Sequence, residues 1–405
     1  MTSFILYIDP GTGSMLFSLF IGIATAAVFG LRALFVKIKF ILSGGKTNKL
    51  IDDKVIPYVI FSESKKYWIV FHSICDEFEK RKIPVVYYAC SEDDPVFTQN
   101  YTYIKPEFIG EGNKAFAKLN FLKADTVLAT TPGLDVYQWK RSKNVKRYIH
   151  VPHSVDDLSS YRMFGLDHYD VVLANGSNQP ECLHKLEAMR NQKPKDIPIV
   201  GCPYMDELKK KLDSSEQKNI PNKKTVVLVA PSWGPNSILA KFGEKFLTAI
   251  TKTDFEIIVR PHPQSLKSEK ELLDSLMEKF PNVEWNFDND NFNVLNKADI
   301  LISDFSGVIF DFTFVFNKPI IYADTKFDPI QYDADWFDEP MWSLRVLKDL
   351  GQRLDENEFD NLSQIIKNVL NSNELKENRT KIINEAWQYK GESAKRIVDY
   401  ITQEQ

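Results

Sequence analysis

A chain of 405 residues is longer than one ordinary domain, so we expect two domains and an appended segment. The formal net charge of −4 gives no electrostatic reason to expect a nucleic acid partner. Four dispersed cysteines without a CxxC pair, and six histidines without metal-binding spacing, predict a reducing compartment, no disulfide framework, no metal and no other cofactor.

Residues 15–31, MLFSLFIGIATAAVFGL, form an uncharged apolar segment that differs from the rest of the chain. This length is at the short end of what spans a bilayer, and Arg32, Lys37 and Lys39 lengthen the span if their side chains snorkel. Because the neighbouring cations all follow the segment, the positive-inside rule predicts a cytoplasmic body. The prediction is a cell-membrane protein with one N-terminal span within residues 1–50. A buried core helix is the alternative.

After about residue 55, short apolar runs alternate with amphipathic stretches. The predicted strands of this half are VIPYVIFSE, IPVVYYAC, ADTVLATT, VKRYIHVPH and DVVLANG, and the stretch YWIVFHSICDEFEKRK is a predicted helix. The segment DIPIVGCP at 196–203 closes this half. A charged stretch at 203–223 begins as a helix and ends as a polar, proline-containing connector. We therefore predict an N-terminal domain over 51–205 and a C-terminal domain over 206–405.

The second half restarts the alternation. Its predicted strands are TVVLVAPSW, FEIIVRPHP, VEWNF, DILIS and PIIYA, and its predicted helices include FGEKFLTAITKT, EKELLDSLMEKF and NFNVLNKA. Strands rich in Val, Ile and Leu that alternate with helices imply parallel sheets covered on both faces. The predicted fold class is α/β, with two Rossmann-like domains facing across a cleft and ligands beyond the carboxyl ends of the strands.

Arg260 and His262 follow directly on the predicted strand of FEIIVRPHPQS, and prolines separate and follow them. Because proline fixes the backbone, both side chains are held at the strand end. A guanidinium is a bidentate phosphate ligand and an imidazole is a hydrogen-bond donor, so the pair suits an anion. A capping arginine beside an ordinary loop histidine is the alternative.

The segment SDFSG at 303–307 lies between a predicted strand and a predicted helix. Free N–H groups of a first helical turn, serine hydroxyls and a glycine that permits close approach form an anion site in such a position. Simple capping of the helix by Ser306 is the alternative. The phenylalanine-rich run that follows alternates as in a strand, but it also fits a fully buried helix, which a β-α-β unit favours.

A third polar site follows the predicted strand in YIHVPHSVDD. His153 comes after the strand and a proline, and Ser154 and Asp156 follow it. A histidine at the edge of a cleft is a candidate general base, because its ordinary pKa lies near neutrality. His150 lies inside the apolar run and is expected to be a core residue.

Five motifs in chain order, HVPHS, VGCPYMDEL, VVLVAPSWG, IIVRPHP and ADILISDFSGVIFDFTFVFNKPIIYAD, together resemble the CDP-glycerol glycerophosphotransferase family. This family comprises the teichoic acid primases and polymerases. The likeness covers roughly residues 125–325 and implies a GT-B fold with peripheral membrane attachment. A more distant likeness is to bacterial polysialyl- and capsule transferases, which use CMP-sugars.

The resemblance implies roles for the matching residues. Arg260 and His262 contact the donor's diphosphate, and His262 also counts as catalytic. The last motif supplies further donor contacts, namely Ser303, Asp304, Ser306, Gly307 and Asp311. His153 matches the catalytic base, which deprotonates the acceptor hydroxyl for attack on the β-phosphorus of CDP-glycerol, with CMP leaving. Ser154 and Asp156 then lie on the acceptor side. The resemblance also implies that the domain over 51–205 binds the acceptor and that the domain over 206–405 binds the nucleotide donor.

The predicted function is a membrane-associated, metal-independent transferase that moves glycerol phosphate, or a related polyol phosphate, from a CDP-linked donor to a lipid-linked cell-wall or surface-polymer acceptor. The chain departs from the family pattern at Ser154, Tyr204 and Gly307, so the donor class is the firmer inference. Three alternatives remain open. They are a GT-B glycosyltransferase using a CMP- or other nucleotide-sugar for capsule-type polysaccharide, a haloacid dehalogenase-type phosphatase suggested by VIFDFTFV, and an inactive membrane-bound binding module.

Overall fold

A computed structural model of the protein describes residues 55–215, 224–288 and 290–403. The predicted membrane segment at 15–31 lies outside these residues. Within the described ranges, no helix combines the length and the apolar character that crossing a bilayer requires. The described part of the chain from Ile56 onward belongs to one compact unit.

The first half forms a six-stranded sheet in which all strands are parallel and lie in the order β3-β2-β1-β4-β5-β6. The strands are β1 Ile56–Ser62, β2 Val85–Ala89, β3 Ile104–Phe108, β4 Lys123–Ala129, β5 Asn144–His150 and β6 Val171–Val172. The helices of this half are α1 Trp68–Lys80, α2 Asn113–Leu119 and α3 Asn178–Met189, with short 3₁₀ turns at Lys65–Tyr67, Pro95–Thr98 and Leu158–Ser160.

The second half repeats the same strand order, read from the other edge as β9-β8-β7-β10-β11-β12. Its strands, again all parallel, are β7 Val226–Val229, β8 Glu256–Val259, β9 Glu284–Trp285, β10 Ile300–Ser303, β11 Ile320–Ala323 and β12 Gly351–Leu354. Val227, Val229 and Ile302 pack on one face of the sheet and Leu228 and Leu301 on the other. Both faces are therefore covered, as predicted for parallel strands of this composition.

The helices that connect and follow these strands vary in length. They are α4 Pro203–Ser214, α5 Ile238–Ile250, α6 Ser265–Ser268, α7 Lys270–Lys279, α8 Phe292–Lys297, α9 Val308–Phe310, α10 Trp342–Arg345, α11 Leu347–Leu350, α12 Leu362–Leu370, α13 Asn373–Ala386 and α14 Ser393–Gln403. A π-helical turn, Asp311–Val315, continues α9. Short 3₁₀ turns lie at Pro329–Gln331, Asp333–Trp336 and Glu356–Asn361.

The phenylalanine-rich segment is helical, since α9 and its π turn span 308–315 between β10 and β11. The prediction of a buried helix in a β-α-β unit is thus confirmed, and Phe312 and Phe314 are buried. The segment DIPIVGCP, which closes the first half, forms two isolated bridges, one of them between Ala174 and Ile199. Strands β3 and β12 were not predicted, because β3 carries alternating polar residues and β12 begins at a glycine that two polar residues follow.

The C-terminal helix α14 packs against the first sheet and not the second. Its residues Ile397, Val398 and Ile401 are fully buried in one apolar cluster with Val70 and Phe71 of α1. The chain therefore crosses between the two halves twice, once near α4 and once before α14.

Candidate active site between the two sheets

In a parallel sheet of this strand order, the loops after the two central strands diverge to opposite faces and leave a crevice at the carboxyl edge. In the second sheet this switch point lies between β7 and β10. The loops that follow these strands are APSWG at 230–234 and DFSG at 304–307. Both belong to the motifs singled out in the sequence.

Asp304 holds the two loops together. Its Oδ1 accepts hydrogen bonds from the backbone N–H groups of Ser232 (2.9 Å) and Phe305 (2.8 Å), and its Oδ2 accepts one from Ile238 (3.0 Å). Burial raises the pKa of this carboxyl. The Ser303 hydroxyl adds a bond to the Ala230 carbonyl, at 2.7 Å. Asp304 and Ser303, both predicted donor contacts, therefore bind the protein's own backbone and position the loops.

His262 lies beside these loops, after β8. Its Nδ1 accepts a hydrogen bond from the Gln264 backbone N–H at 3.1 Å, so in the neutral ring Nε2 carries the proton. Burial lowers the pKa of this histidine, which favours the neutral form near pH 7. The Trp233 indole lies 6.4 Å from the His262 ring, centroid to centroid. The site thus offers one imidazole N–H donor beside an aromatic face.

A cavity of about 180 Å³ opens at this point and is lined from both halves of the molecule. The polar side chains that line it are Asp156, Ser160, Ser232, His262, Ser306 and Ser343. An aromatic wall completes it, comprising Trp233, Phe305, Phe310, Phe327 and Tyr332. Phe327 stacks on Tyr332, with 5.3 Å between ring centroids, and contacts Phe305 at the same separation.

Gly307 lines the same cavity at the start of the helical segment. A Cβ placed on this glycine would meet no atom within 4 Å, so its lack of a side chain leaves open space in the cavity. In the first helical turn, the Ile309 and Phe310 N–H groups donate to the carbonyls of Ser306 (3.1 Å) and Gly307 (3.0 Å), which leaves the N–H groups ahead of Ile309 as the backbone donors for a ligand. The loop therefore combines a hydroxyl from Ser306 with backbone donors, which suits an anion.

Arg260 does not line the cavity. Its guanidinium donates to the side-chain oxygen of Asn286 and, at 2.8 Å, to the backbone carbonyl of Asp288. The residue is 9% exposed, and burial lowers its pKa. Arg260 therefore fixes the loop after β9, and its predicted contact with a diphosphate stays a prediction.

His153, at the carboxyl edge of the first sheet, does not line the cavity either. Its Nδ1 lies 2.9 Å from the Thr130 hydroxyl, and its ring packs 5.2 Å from that of Tyr67. Burial, with a smaller effect of Lys66, lowers the pKa of His153 to about 4. The ring is therefore neutral at pH 7. Its role as general base stays a prediction, as does an acceptor role for the neighbouring Ser154.

His150 is a core residue, as expected from its place in the apolar run. It is fully buried, and its ring contacts those of Tyr161 (5.3 Å) and Tyr169 (5.2 Å). Burial lowers its pKa to about 3. The two histidines of the motif thus have different surroundings, although neither carries charge at neutral pH.

Asp156 and Asp157 link the first half to the second. The Asp157 carboxylate accepts hydrogen bonds from the backbone N–H groups of Trp342 (3.1 Å) and Ser343 (2.7 Å), at the start of α10. Its own N–H donates to Asp156 Oδ1 at 2.7 Å. The carboxyl of Asp156 is thereby held at the cavity, where burial and the neighbouring Asp157 raise its pKa to about 7.

Asp311, predicted as a donor contact, lies in the π-helical turn and outside the cavity. Its Oδ2 accepts a hydrogen bond from the Tyr204 hydroxyl at 2.9 Å, and burial raises its pKa to about 7. The alternative of a haloacid dehalogenase-type phosphatase needs this aspartate at a strand end. Because 308–315 is helical, the segment does not provide that position.

The structure thus brings together four of the predicted site residues at one cavity: His262, Ser306, Gly307 and Asp156. Sequence reasoning did not identify the lining residues that come from 327–347. No motif signals this region, because it is a loop with short helical turns whose aromatic side chains resemble ordinary core positions. Trp233 lies within the quoted APSWG stretch, but no role was assigned to it.

A family model described as CDP-glycerol:poly(glycerophosphate) glycerophosphotransferase matches residues 162–403, which is more than half of the chain. The chain belongs to this family. The glycerophosphotransferase family region therefore includes His262, Ser306 and Gly307. The chain is also 25% identical, over 186 residues, to the minor teichoic acid biosynthesis protein GgaB of Bacillus subtilis strain 168. That match covers 42% of this chain and 20% of the length of GgaB.

Solved structures show the same fold as this glycerophosphotransferase family member. The wall teichoic acid polymerase TagF aligns over 93% of this chain and 98% of its own, with a TM-score of 0.54 and 17% sequence identity. The UDP-GlcNAc 2-epimerase of Neisseria meningitidis, bound to UDP-GlcNAc, aligns over 87% of this chain and 100% of its own, with a TM-score of 0.54 and 12% identity. The α/β architecture of two parallel sheets is the GT-B fold predicted from the sequence.

Proposed function

We propose that the protein transfers glycerol phosphate, or a related polyol phosphate, from a CDP-linked donor to an acceptor hydroxyl and releases CMP. The observation that carries this proposal is the cavity at the switch point of the second sheet. Two motifs separated in sequence, RPHP and SDFSG, contribute His262, Ser306 and Gly307 to that one cavity. Membership of the glycerophosphotransferase family supports the donor class.

The donor's diphosphate binds at Ser306, Gly307 and His262 in this proposal. The Nε2–H of His262 and the backbone N–H groups at the start of the helical segment donate to phosphate oxygens as negative charge develops on the leaving CMP. Such preorganised donors stabilise the transition state without a metal ion. Arg260 supports the site by holding the neighbouring loop, because its guanidinium bonds to Asn286 and Asp288.

The acceptor reaches the cavity from the side of the first half, where Asp156 and Ser160 line it. We infer an acceptor that is lipid-linked and exposed at the cytoplasmic face of the membrane. The uncharged apolar segment at 15–31 supports this inference, since it suits attachment to a bilayer. The similarity to GgaB, a teichoic acid biosynthesis protein, supports a surface polymer as the product.

The test is turnover by the full chain in detergent micelles or vesicles. CDP-glycerol and a lipid-linked acceptor are supplied, and CMP and extended acceptor are measured by chromatography, with EDTA or with Mg²⁺. We expect both products to appear with EDTA present. Parallel reactions with CDP-ribitol, a CMP-sugar and a UDP-sugar identify the transferred group.

Two results would contradict the proposal. One is a failure of both CDP-glycerol and CMP to bind in calorimetry, which removes the donor assignment. The other is strict dependence of CMP release on Mg²⁺, which removes the metal-independent mechanism.

A further inference from the structure

The cavity that receives the donor in the proposed function contains one carboxylate among the described residues that line it, and that carboxylate comes from the first half. Asp156 lines the cavity together with His262 and Ser306 of the second half. In the proposed function, the acceptor hydroxyl approaches from the first half and the donor phosphates bind at the second half. Asp156 is then the carboxylate on the acceptor side of the cavity.

The backbone around Asp156 is fixed by hydrogen bonds on both sides. The Gln179 side chain of α3 donates to the Asp156 carbonyl at 2.8 Å, and the Asp157 N–H donates to Asp156 Oδ1 at 2.7 Å. Asp157 is itself tied to the backbone N–H groups of Trp342 and Ser343. A group that accepts a proton in a transition state needs such fixed placement, because proton transfer requires contact within hydrogen-bond distance.

The groups around Asp156 favour a carboxyl that titrates near neutrality. Asp157 is its nearest acidic neighbour, and Tyr161 lies on the same segment with its own pKa raised, mainly by burial. From α10, the Ser343 side chain hydrogen-bonds to Asp156, and Arg345 acts on Asp157. From the second half, His262 faces the cavity as a neutral ring. Burial and Asp157 outweigh the hydrogen bonds, and the pKa rises to about 7.

His153 is the competing candidate, and its geometry is less favourable. It does not line the cavity, its Nδ1 is engaged with the Thr130 hydroxyl at 2.9 Å, and Tyr67 packs against the ring. With a pKa near 4, the neutral ring is a weak proton acceptor. A base is most effective when its pKa lies close to the working pH.

We propose that Asp156 is the general base of the transfer, and this proposal rests on the proposed function. The Asp156 carboxylate takes the proton of the acceptor hydroxyl, whose oxygen forms a bond to the β-phosphorus of the donor. The bond between that phosphorus and the bridging oxygen breaks, and CMP leaves with the electron pair. The atoms balance without a co-reactant, and the proton leaves Asp156 to solvent after the product departs.

The experiment measures CMP release from CDP-glycerol by the full chain, wild type and Asp156→Asn, between pH 5 and pH 9. We expect Asp156→Asn to lower kcat at least about 100-fold, with the KM for CDP-glycerol within about twofold of wild type. The acid limb of the wild-type kcat profile should be absent in the variant. Asp156→Glu should recover part of kcat together with an acid limb. Asp360→Asn, at an exposed position outside the cavity, is the matched control.

Calorimetric binding of CDP-glycerol to Asp156→Asn shows that the variant folds and keeps its donor site. The proposal is overturned if Asp156→Asn keeps more than a tenth of wild-type kcat, or if its acid limb persists at a lower rate. It is also overturned if His153→Gln, and not Asp156→Asn, removes the acid limb. If the wild type releases no CMP, the proposed function itself fails and this role of Asp156 fails with it. The wild-type reaction therefore separates the two failures.

Discussion

The carboxyl edges of the two sheets share one strand order but present different side chains to the cleft. At the second sheet, His262 and Ser306 line the cavity, while the buried Asp304 holds the Ser306 loop to the loop after β7. At the first sheet, His150 is buried and His153 bonds to Thr130. A polar residue after a parallel strand therefore lines a cavity only when the adjoining loops leave space. Where loops fill that space, the same residue becomes part of the core.

The largest effect should come from removing the Asp304 carboxylate, which holds two loops together at the carboxyl edge of the second sheet. Asp304→Ala leaves three backbone N–H groups without their acceptor, and each buried donor left unpaired costs about 1–3 kcal/mol. We expect the free energy of unfolding to fall by about 3 kcal/mol in urea denaturation followed by circular dichroism. Asp338→Ala, at an exposed position, serves as the control. A loss below about 1 kcal/mol would mean that the loops do not depend on Asp304.

Replacing His262, at the carboxyl edge of the second sheet, should affect the rate of the transfer reaction more than the free energy of unfolding. His262→Ala removes one positioned donor, so we expect kcat/KM for CDP-glycerol to fall about 100-fold. His168→Ala, an exposed histidine outside the cavity, should leave the rate unchanged. If His262→Ala retains the wild-type rate, as the control His168→Ala should, then the carboxyl edge of the second sheet does not contribute His262 to the reaction.

At the carboxyl edge of the first sheet, His150 leads to a prediction about how the free energy of unfolding depends on pH. Because burial lowers the pKa of His150 to about 3, the unfolded chain takes up this proton near pH 6.5 and the folded chain does not. Above pH 6.5 His150 is neutral in both states, so its titration costs the folded chain no stability. The free energy of unfolding falls as the pH falls from 6.5 towards 3, because only the unfolded chain takes up the proton. In urea denaturation, the stability of the wild type relative to His150→Phe should fall by about 2 kcal/mol between pH 7 and pH 5. A difference that does not change with pH would show that His150 is solvated.

The smallest expected effect is a lower KM for CDP-glycerol after a substitution at Gly307, at the carboxyl edge of the second sheet. Gly307 stands where the resembled family pattern has a second serine, and a Cβ there meets no atom within 4 Å. Gly307→Ser should therefore fit without strain and add one hydroxyl donor at the cavity. We expect the KM for CDP-glycerol to fall about three- to tenfold, which corresponds to one ordinary hydrogen bond. A higher KM would indicate that the donor needs the space that the glycine leaves.

The alternation of apolar runs and helices was sufficient to predict two parallel sheets, and most predicted strands agree with the structure. The exceptions have local causes. In DIPIVGCP, apolar residues lie beside β6 but make only two bridges, so they do not form a continuous ladder. Strand β12 begins at Gly351, where a Cβ would come within 2.1 Å of the Ile320 carbonyl oxygen. Because glycine is disfavoured within strands, strand propensity does not predict a strand that begins at a glycine required by close packing.

The sequence predicted the part of the candidate site that lies within its motifs. RPHP and SDFSG identify residues that meet at the cavity, because the carboxyl ends of parallel strands share one edge. The motifs do not indicate which way each side chain points. The Arg260 guanidinium bonds to Asn286 and the Asp288 carbonyl, and its contact with a diphosphate stays a prediction. The aromatic wall from Phe327 and Tyr332 depends on tertiary packing of a long loop, which no local pattern reports.

The C-terminal helix α14 has a consequence for how such proteins can be recombined. Ile397 and Val398 complete the core of the first sheet, and Arg81 of that half forms an ion pair with Asp399 at 2.7 Å. A gene fragment that ends near residue 215 would therefore encode the first sheet with an uncovered apolar face. To graft a new second half onto this scaffold, the exchanged segment must be internal, with α14 retained from the parent that supplies the first sheet.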